Sequence, residues 1–533
     1  MLNKLRHHWN VSSRREFFSR AGSGLASIAL ASMFNEDGYA ANASLIDPLQ
    51  LKKPDHPATA KSVIWLFMEG GPSHVDLFDP KPLLTKLDGK PIPDSIEKPK
   101  QTSRGTGNNA LMASRRTWKQ YGQSGMWVSD WYKNIGPHVD DMTIIRSCWA
   151  DGLNHVGSVC QMNTGSILAG RPSLGAWATY GLGTANKNLP SFVVLTDDKD
   201  PLGGSNNWNS GFIPAIYQGT QFRRGDTPIL DLKPPAGISD EQQRSGLGLL
   251  NRLNRIWSED KTDDTELDAR IRSYELAYQM QSAAAEAVDL TKESEATKKS
   301  YGMDEEASSV YGTNCLMARR LVERGVRFVE LYCGSGSGWD AHENIEANHG
   351  KWCRASDKPI AGLLADLKAR GMLKDTLVVW GGEFGRTPFN EMSVGRDHNP
   401  WGFTMWMAGG GAKPGQYVGS TDEIGLHAQE KPAHVHDIHA TILWMLGLDH
   451  LKTTYMHNGR AERPTVLAGE VLKEILLKGK LGMCLTQVGT VWQRFVWLAH
   501  RGLCPTCSSG MKASRAGQGA RPTWVSCLGE LLP

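Results

Sequence analysis

Apolar and polar positions alternate along this chain in two rhythms. Residues 62–68 read SVIWLFM, a continuous apolar run that stops at Glu69-Gly70-Gly71-Pro72. A short unbroken run closed by turn residues is the pattern of a strand buried on both faces. Similar runs at 142–146, 192–195, 326–332, 376–380 and 403–408 predict further strands. Between them, helical spacing marks 159–168, 315–324, 356–370 (with Ile360, Leu363, Leu364 and Leu367 on one stripe) and 437–446. Strand-helix alternation on this scale predicts an α/β fold with a mainly parallel sheet. Residues 239–300 break the rhythm. They are highly charged and mostly helical in pattern, which predicts a helical insertion on the sheet, either a lid or a solvated hairpin. Beyond 478 the alternation stops and Cys484, Cys504, Cys507 and Cys527 crowd together. We expect the folded body to span 44–478 and an irregular Cys-containing tail to occupy 479–533.

The first residues add a location. Ser13-Arg14-Arg15-Glu16-Phe17-Phe18 fits a twin-arginine export signal. The apolar segment after it, 21–33, is too short and too rich in Gly, Ser and Ala to span a bilayer. Ala41-Asn42-Ala43 supplies a small-x-small cleavage site. Residues 1–43 therefore read as a signal peptide, the twin-arginine translocase as a partner and the periplasm, or another exported location, as the destination. No other segment is long and apolar enough to be a stable membrane span. The net charge is +3 with the basic residues weighted to both ends, and the body lacks the basic stripe that nucleic-acid binding needs. Nine cysteines in an exported chain leave at least one unpaired within it.

In an open parallel sheet, ligands bind beyond the carboxyl ends of the strands. Acids and histidines gather at those ends here. Glu69, His74 and Asp76 follow the first strand, and Trp339-Asp340-Ala341-His342 follows the fourth. Glu383 and Arg386 follow the fifth, and Arg396-Asp397-His398 precedes the sixth. Carboxylate oxygens and imidazole nitrogens bind zinc and other divalent ions, and such ions stabilise the charge that develops in ester hydrolysis. Each signal alone is weak, because an acid after a strand also caps helices. Their concentration at successive strand ends makes Glu69, Asp76, Asp340, His342, Glu383 and His398 the candidate ligands. The expected cofactor is a divalent metal: zinc, calcium or magnesium.

Together VIWLFMEGGPSHVDLFDPKP, QMNTGSILAGRPSLG, GWDAHEN, DTLVVWGGEFGRTP, GRDHNPWGFTMWMAGGG and DIHATILWMLGLDH resemble the family designated domain of unknown function 1501, over about residues 60–475. That family is related to the alkaline phosphatase and sulfatase superfamily. The resemblance implies an alkaline-phosphatase-like three-layer α/β/α sandwich. It also implies that Asp340, His342 and His398 hold one ion. Glu383-Phe384 stands where the superfamily has an Asp-His or Asp-Asn metal pair, and a phenylalanine cannot bind metal. Glu69 stands where an aspartate usually ends the first strand, with Asp76 as a substitute. Matching Thr164-Gly165 to the superfamily's Thr-Gly places His155 near the nucleophile position, as a ligand or a nucleophile. Ser158 is the other candidate nucleophile. The Pro-Ser-Arg that follows a sulfatase nucleophile is absent, so Cys160 is not expected to become formylglycine.

Two functions follow. One is an exported metal-dependent hydrolase of sulfate or phosphate esters, with an anionic ester or sulfated glycan as substrate and Arg386 or Arg396 gripping the anion. The other is a non-catalytic relative that binds a glycan or a cell-surface partner. Replacing Arg14 and Arg15 together by Lys is expected to leave the precursor in the cytoplasm, as read by fractionation; unchanged export rejects the signal. A chain ending at Lys478 is expected to fold and melt with the full chain, because a tail with few core contacts unfolds locally at little cost. Insolubility, or a much lower Tm, places the boundary elsewhere.

Overall fold

The computed structural model describes residues 48–477 apart from 100–101, 103–109, 198, 392 and most of 224–285. The signal peptide, the tail after 478 and most of the expected insertion at 239–300 lie outside the described residues.

The central sheet is built from β1 (Ser62–Met68), β2 (Met142–Trp149), β3 (Phe192–Leu195), β4 (Thr220–Phe222), β5 (Phe328–Cys333), β6 (Thr376–Gly381), β7 (Phe403–Gly409), β8 (Gln416–Val418) and β9 (Ala433–His434). Its order is β8-β2-β7-β6-β1-β5-β3-β4, with β9 also beside β2. All pairs are parallel except those of β7, which runs antiparallel to both β2 and β6. Reversing one strand between β2 and β6 keeps those two pointing the same way. The carboxyl ends of β1, β2, β5, β6 and β9 therefore share one rim, and β7 starts there.

Five main helices cover the sheet: α1 (His155–Thr164), α2 (Leu174–Leu182), α3 (Ser309–Glu323), α4 (Ile345–Ala369) and α5 (Val435–Met445). Strand alternation sends successive side chains of β1 to opposite faces. Ile64, Leu66 and Met68 pack with Leu316 of α3 and Leu363 and Leu367 of α4. Val63, Trp65 and Phe67 pack with Val159 of α1, Ala178 of α2 and Ile438 and Ile442 of α5. This makes an α/β fold of three layers with a mostly parallel central sheet. Burying each large apolar side chain contributes about 1.5–3 kcal/mol before chain entropy is subtracted.

Three helices differ by several residues from their expected bounds, α3 starting six residues earlier, at Ser309. α1 starts and ends four residues earlier, because Asn154 caps it by accepting from Gly157 N–H and Gly165 stops it at φ 77°. α4 is 25 residues long and runs through Pro359. Its first half is polar and only partly buried, so its apolar stripe is visible only in the second half. Cys148, Cys160, Cys315, Cys333 and Cys353 are buried free thiols. No helix among the described residues is long and apolar enough to cross a membrane.

One core position is a carboxylic acid. Glu330, on β5, is 2% exposed and its Oε1 has no hydrogen-bond partner among the described residues. Burial raises its pKa to about 8, with only the Tyr332 hydroxyl opposing. Between its ordinary pKa and about 8 the native state holds a proton that the unfolded chain has lost, so stability falls as pH rises through that window. Replacing Glu330 with Gln is expected to shrink the fall in Tm between pH 5 and pH 8. An equal fall in both proteins rejects a neutral Glu330.

Candidate metal centre

Four side chains from different parts of the rim meet at one point. Asp340 and His342 lie in the loop after β5, His155 is the first residue of α1, and His398 lies on the short strand Arg396–Asn399 just before β7. Their nearest nitrogen and oxygen atoms all lie within 4.8 Å of one another. Asp340 Oδ1 is the hub. It lies 2.9 Å from His342 Nε2, 3.3 Å from His398 Nε2 and 3.4 Å from His155 Nε2. His342 Nε2 and His398 Nε2 are themselves 3.1 Å apart.

The other nitrogen of each ring decides what this means. His155 Nδ1 lies 2.7 Å from Glu383 Oε1, and His398 Nδ1 lies 2.6 Å from the Leu153 carbonyl. His342 Nδ1 contacts Glu391. Carboxylates and carbonyls only accept, so each Nδ1 carries the proton and donates. A neutral imidazole then turns a bare Nε2 lone pair inward. Three such lone pairs and a carboxylate oxygen facing one another repel unless a proton or a cation stands among them. Outer groups that tie down Nδ1 in this way are the usual supports of metal-binding histidines.

The charges respond to this crowding. Burial pulls the His155 pKa down, but hydrogen bonds to Asp340 and Glu383 outweigh it and raise the value to about 9, so without a cation among the rings His155 carries a proton on Nε2 facing Asp340, which a bound ion would replace. Burial, opposed by Asp340 and helped by Arg386 and His155, lowers His398 to about 4. Asp340 is held well below the carboxylate range: burial opposes this, and the three imidazoles and Arg386 overcome it.

The remaining candidates have other partners. Glu383 is fully buried and accepts from Gly70 N–H at 2.9 Å as well as from His155, so it orients a ligand from behind. Glu69 accepts from the backbone N–H groups of Leu202 and Gly336, and burial followed by the charge of Glu383 raises its pKa to about 7. Asp76 is not brought into the cluster: its carboxylate pairs with Arg396 at 2.8 Å and accepts from Ser73 Oγ at 2.5 Å. Arg396 is fully buried by that pair and by the carbonyls of Thr387 and Met112. Arg386 is also fully buried. It donates to the carbonyls of Gly70, Gly71 and Arg396 and, at 2.7 Å, to Asp340. Neither guanidinium presents a face to an incoming anion. Ser158 lies one turn into α1, with a buried Oγ that has no hydrogen-bond partner among the described residues and lies where a Cβ at Gly152 would collide with it. Phe384 stacks on His398 and packs on His155, with ring centroids 4.5 Å and 5.1 Å apart.

Two supports of the site lack a strand-end signature. Glu391 sits between the paired strands Gly385–Asn390 and Arg396–Asn399, and Leu153 contributes only a carbonyl. With Asp397 and His342, Glu391 forms a second group of ligand-type atoms. Backbone geometry sets the spacing of the whole. Gly70 has φ 114°, and a Cβ there would lie 2.6 Å from the backbone nitrogens of Trp339 and Asp340. The turn after β1 thus presses directly on the main chain that carries Asp340, which only glycine permits.

The structure is similar, at a TM-score of 0.31 and 13% identity, to alkaline phosphatase from the Antarctic bacterium TAB5, covering 75% of this chain and 99% of that one. A sulfatase from Pseudoalteromonas sp. aligns with a TM-score of 0.31 and 12% identity over 83% of this chain and 75% of its own. A phosphonate monoester hydrolase from Silicibacter pomeroyi gives a TM-score of 0.31 and 12% identity over 65% and 71%. At these scores the likenesses say nothing about activity. No curated protein matches the chain. The family described as protein of unknown function (DUF1501) matches residues 60–476. With that match spanning the sheet, its helices and the rim cluster, the chain belongs to the DUF1501 family.

Proposed function

We propose that this protein is an exported, metal-dependent hydrolase of sulfate or phosphate esters. The observation that carries the proposal is the convergence of three imidazole Nε2 atoms on one Asp340 oxygen. His155, Asp340, His342 and His398 fit a divalent cation as three nitrogens and one oxygen. Imidazole-rich sets suit zinc better than calcium or magnesium, which prefer oxygen ligands. Bound there, the ion would act as a Lewis acid on the ester oxygen.

The protein's own groups do the rest. Glu383, Glu391 and the Leu153 carbonyl hold the three rings at fixed tautomer and angle. Arg386 offsets the charge of Asp340 and holds the glycine turn. Glu69 accepts from the N–H groups of Leu202 and Gly336 and so ties their two loops to the end of β1. The ring of Phe384 covers one side of His155 and His398 and excludes water there. Export rests on the motif at residues 13–18.

A second reading has support from particular residues. Phe384 fills a ligand position of the wider superfamily, and Ser158 is buried. A family member that keeps the ion but does not turn over esters would look the same. Turnover of p-nitrophenyl phosphate or p-nitrophenyl sulfate separates the two.

Purified protein is expected to carry near-stoichiometric zinc by elemental analysis. Asp340→Ala, His342→Ala and His398→Ala should each lose most of it. Stripping the metal with a chelator should lower Tm, since an ion at 100 times its dissociation constant stabilises the native state by about 2.7 kcal/mol. Acidification should release it, because the imidazoles must be neutral to bind. Full metal occupancy in all three variants rejects the site.

A further inference from the structure

The rim carries a second built feature, outside the imidazole cluster. A cleft of about 950 Å³ opens beside the ends of β2 and β9. This is the size of a small-ligand site. Trp149, the last residue of β2, is 36% exposed and packs on the His434 ring at 4.4 Å between centroids. The two rings form an aromatic wall. His434 Nε2 donates to Asp151 at 3.0 Å, which fixes the ring.

The cleft has an acceptor side at Asp151 and a cationic side at Arg463 and Lys431; Asp437, Glu470 and Glu474 also line it, with Asp437 spent on the N–H groups of His434 and Glu470. On the first, Asp151 is half exposed. His436, behind it, is held by donation from Nε2 to the Gly165 carbonyl at 2.7 Å and packs edge-on against the His434 ring, which it supports from below. On the second, Arg463 spends only Nε, on the Val466 carbonyl. Its Nη1 and Nη2 have no hydrogen-bond or ion-pair partner among the described residues. Lys431 is exposed nearby, with a 3.7 Å contact to Glu474.

A second depression, of about 440 Å³, shares Asp151 with the cleft and adds Trp401, His427 and Leu153. Leu153 is the residue whose carbonyl holds His398. An elongated ligand lying across Asp151 thus meets an aromatic ring on each side and passes next to the imidazole cluster.

We propose that the Trp149–His434–Arg463 cleft is an ancillary binding site for an anionic sugar ring of an oligosaccharide. A flat ring with apolar C–H faces covers the aromatic wall. Its hydroxyls donate to the half-exposed Asp151 carboxylate. Its carboxylate or sulfate takes the open fork of Arg463, whose geometry matches a planar or tetrahedral oxyanion. A free phosphate or a phosphopeptide satisfies the cationic side but leaves the acceptor side without donors. The site stands without the ion, and it gives the ester-hydrolase reading an anionic glycan as its substrate class.

The test is calorimetric titration of the full-length exported protein, with and without a chelator, against three hexasaccharides: an oligogalacturonate, a chondroitin sulfate fragment and neutral maltohexaose. At least one anionic probe should bind about ten-fold tighter than the neutral one, and the chelator should leave that affinity unchanged. Which probe binds identifies carboxylate or sulfate as the recognised group. Trp149→Ala should weaken binding by about ten-fold, Trp149→Phe should retain most of it, and Arg463→Gln should abolish the preference for the anionic probe. Equal affinity for neutral and anionic probes overturns the proposal, as does binding unaffected by both Trp149→Ala and Arg463→Gln, or affinity that vanishes with the metal. Binding without ester turnover rejects only the hydrolase reading. Turnover without chelator-insensitive binding rejects only the ancillary site.

Discussion

Charge removed from water at the sheet rim is the constraint around which this molecule is arranged. Asp76, Glu69, Glu383 and Asp397 are essentially inaccessible, and Arg386 and Arg396 are fully so. A buried carboxylate is tolerated only with donors or a counter-charge. Each of the four has a different answer. Asp76 takes Arg396, Glu383 takes a glycine N–H and an imidazole, Glu69 takes two backbone amides, and Asp397 accepts from the N–H of His398. The loops after β1, β5 and β6 follow paths that supply these partners. The backbone amides that satisfy the acids are the same ones that shape the turns.

Within that frame the two arginines and the three imidazoles divide the work. Arg386 and Arg396 are interior struts, saturated by carbonyls and carboxylates. The imidazoles keep one nitrogen unspent and aim it inward. A chain that needed only structural charge compensation would have no reason to leave three acceptors converging. This asymmetry between saturated guanidiniums and unsaturated imidazoles separates a site from a polar core.

Much of the fold was legible because the strands of a covered parallel sheet have no polar face. The runs at 62–68 and 376–380 are apolar after their first residue; the first ends where the strand does and the second one residue short of it. Helix limits were less legible. The start of α1 depends on Asn154 and its end on Gly165, single residues whose role appears only once their φ and hydrogen bonds are known. In the site, Asp340, His342 and His398 stood out by position after or before strands, and His155 through a family resemblance. Asp76 and Arg396 carried the same kind of signal but neutralise each other, which no spacing reveals. Glu391 was hidden because it sits at a hairpin tip, and Leu153 because a carbonyl leaves no trace in the identity of its residue.

The press of Gly70 against the Asp340 backbone has a consequence for how such a protein changes over time. The distance between two of the rim's loops is set by main chain on main chain, with no side chain between them as a spacer. Residues around the contact are then free to be exchanged for others of different chemistry without resetting the gap. A lineage that keeps this glycine keeps a rigid gauge, against which new ligands, new acids or a lost nucleophile can be tried at low structural risk.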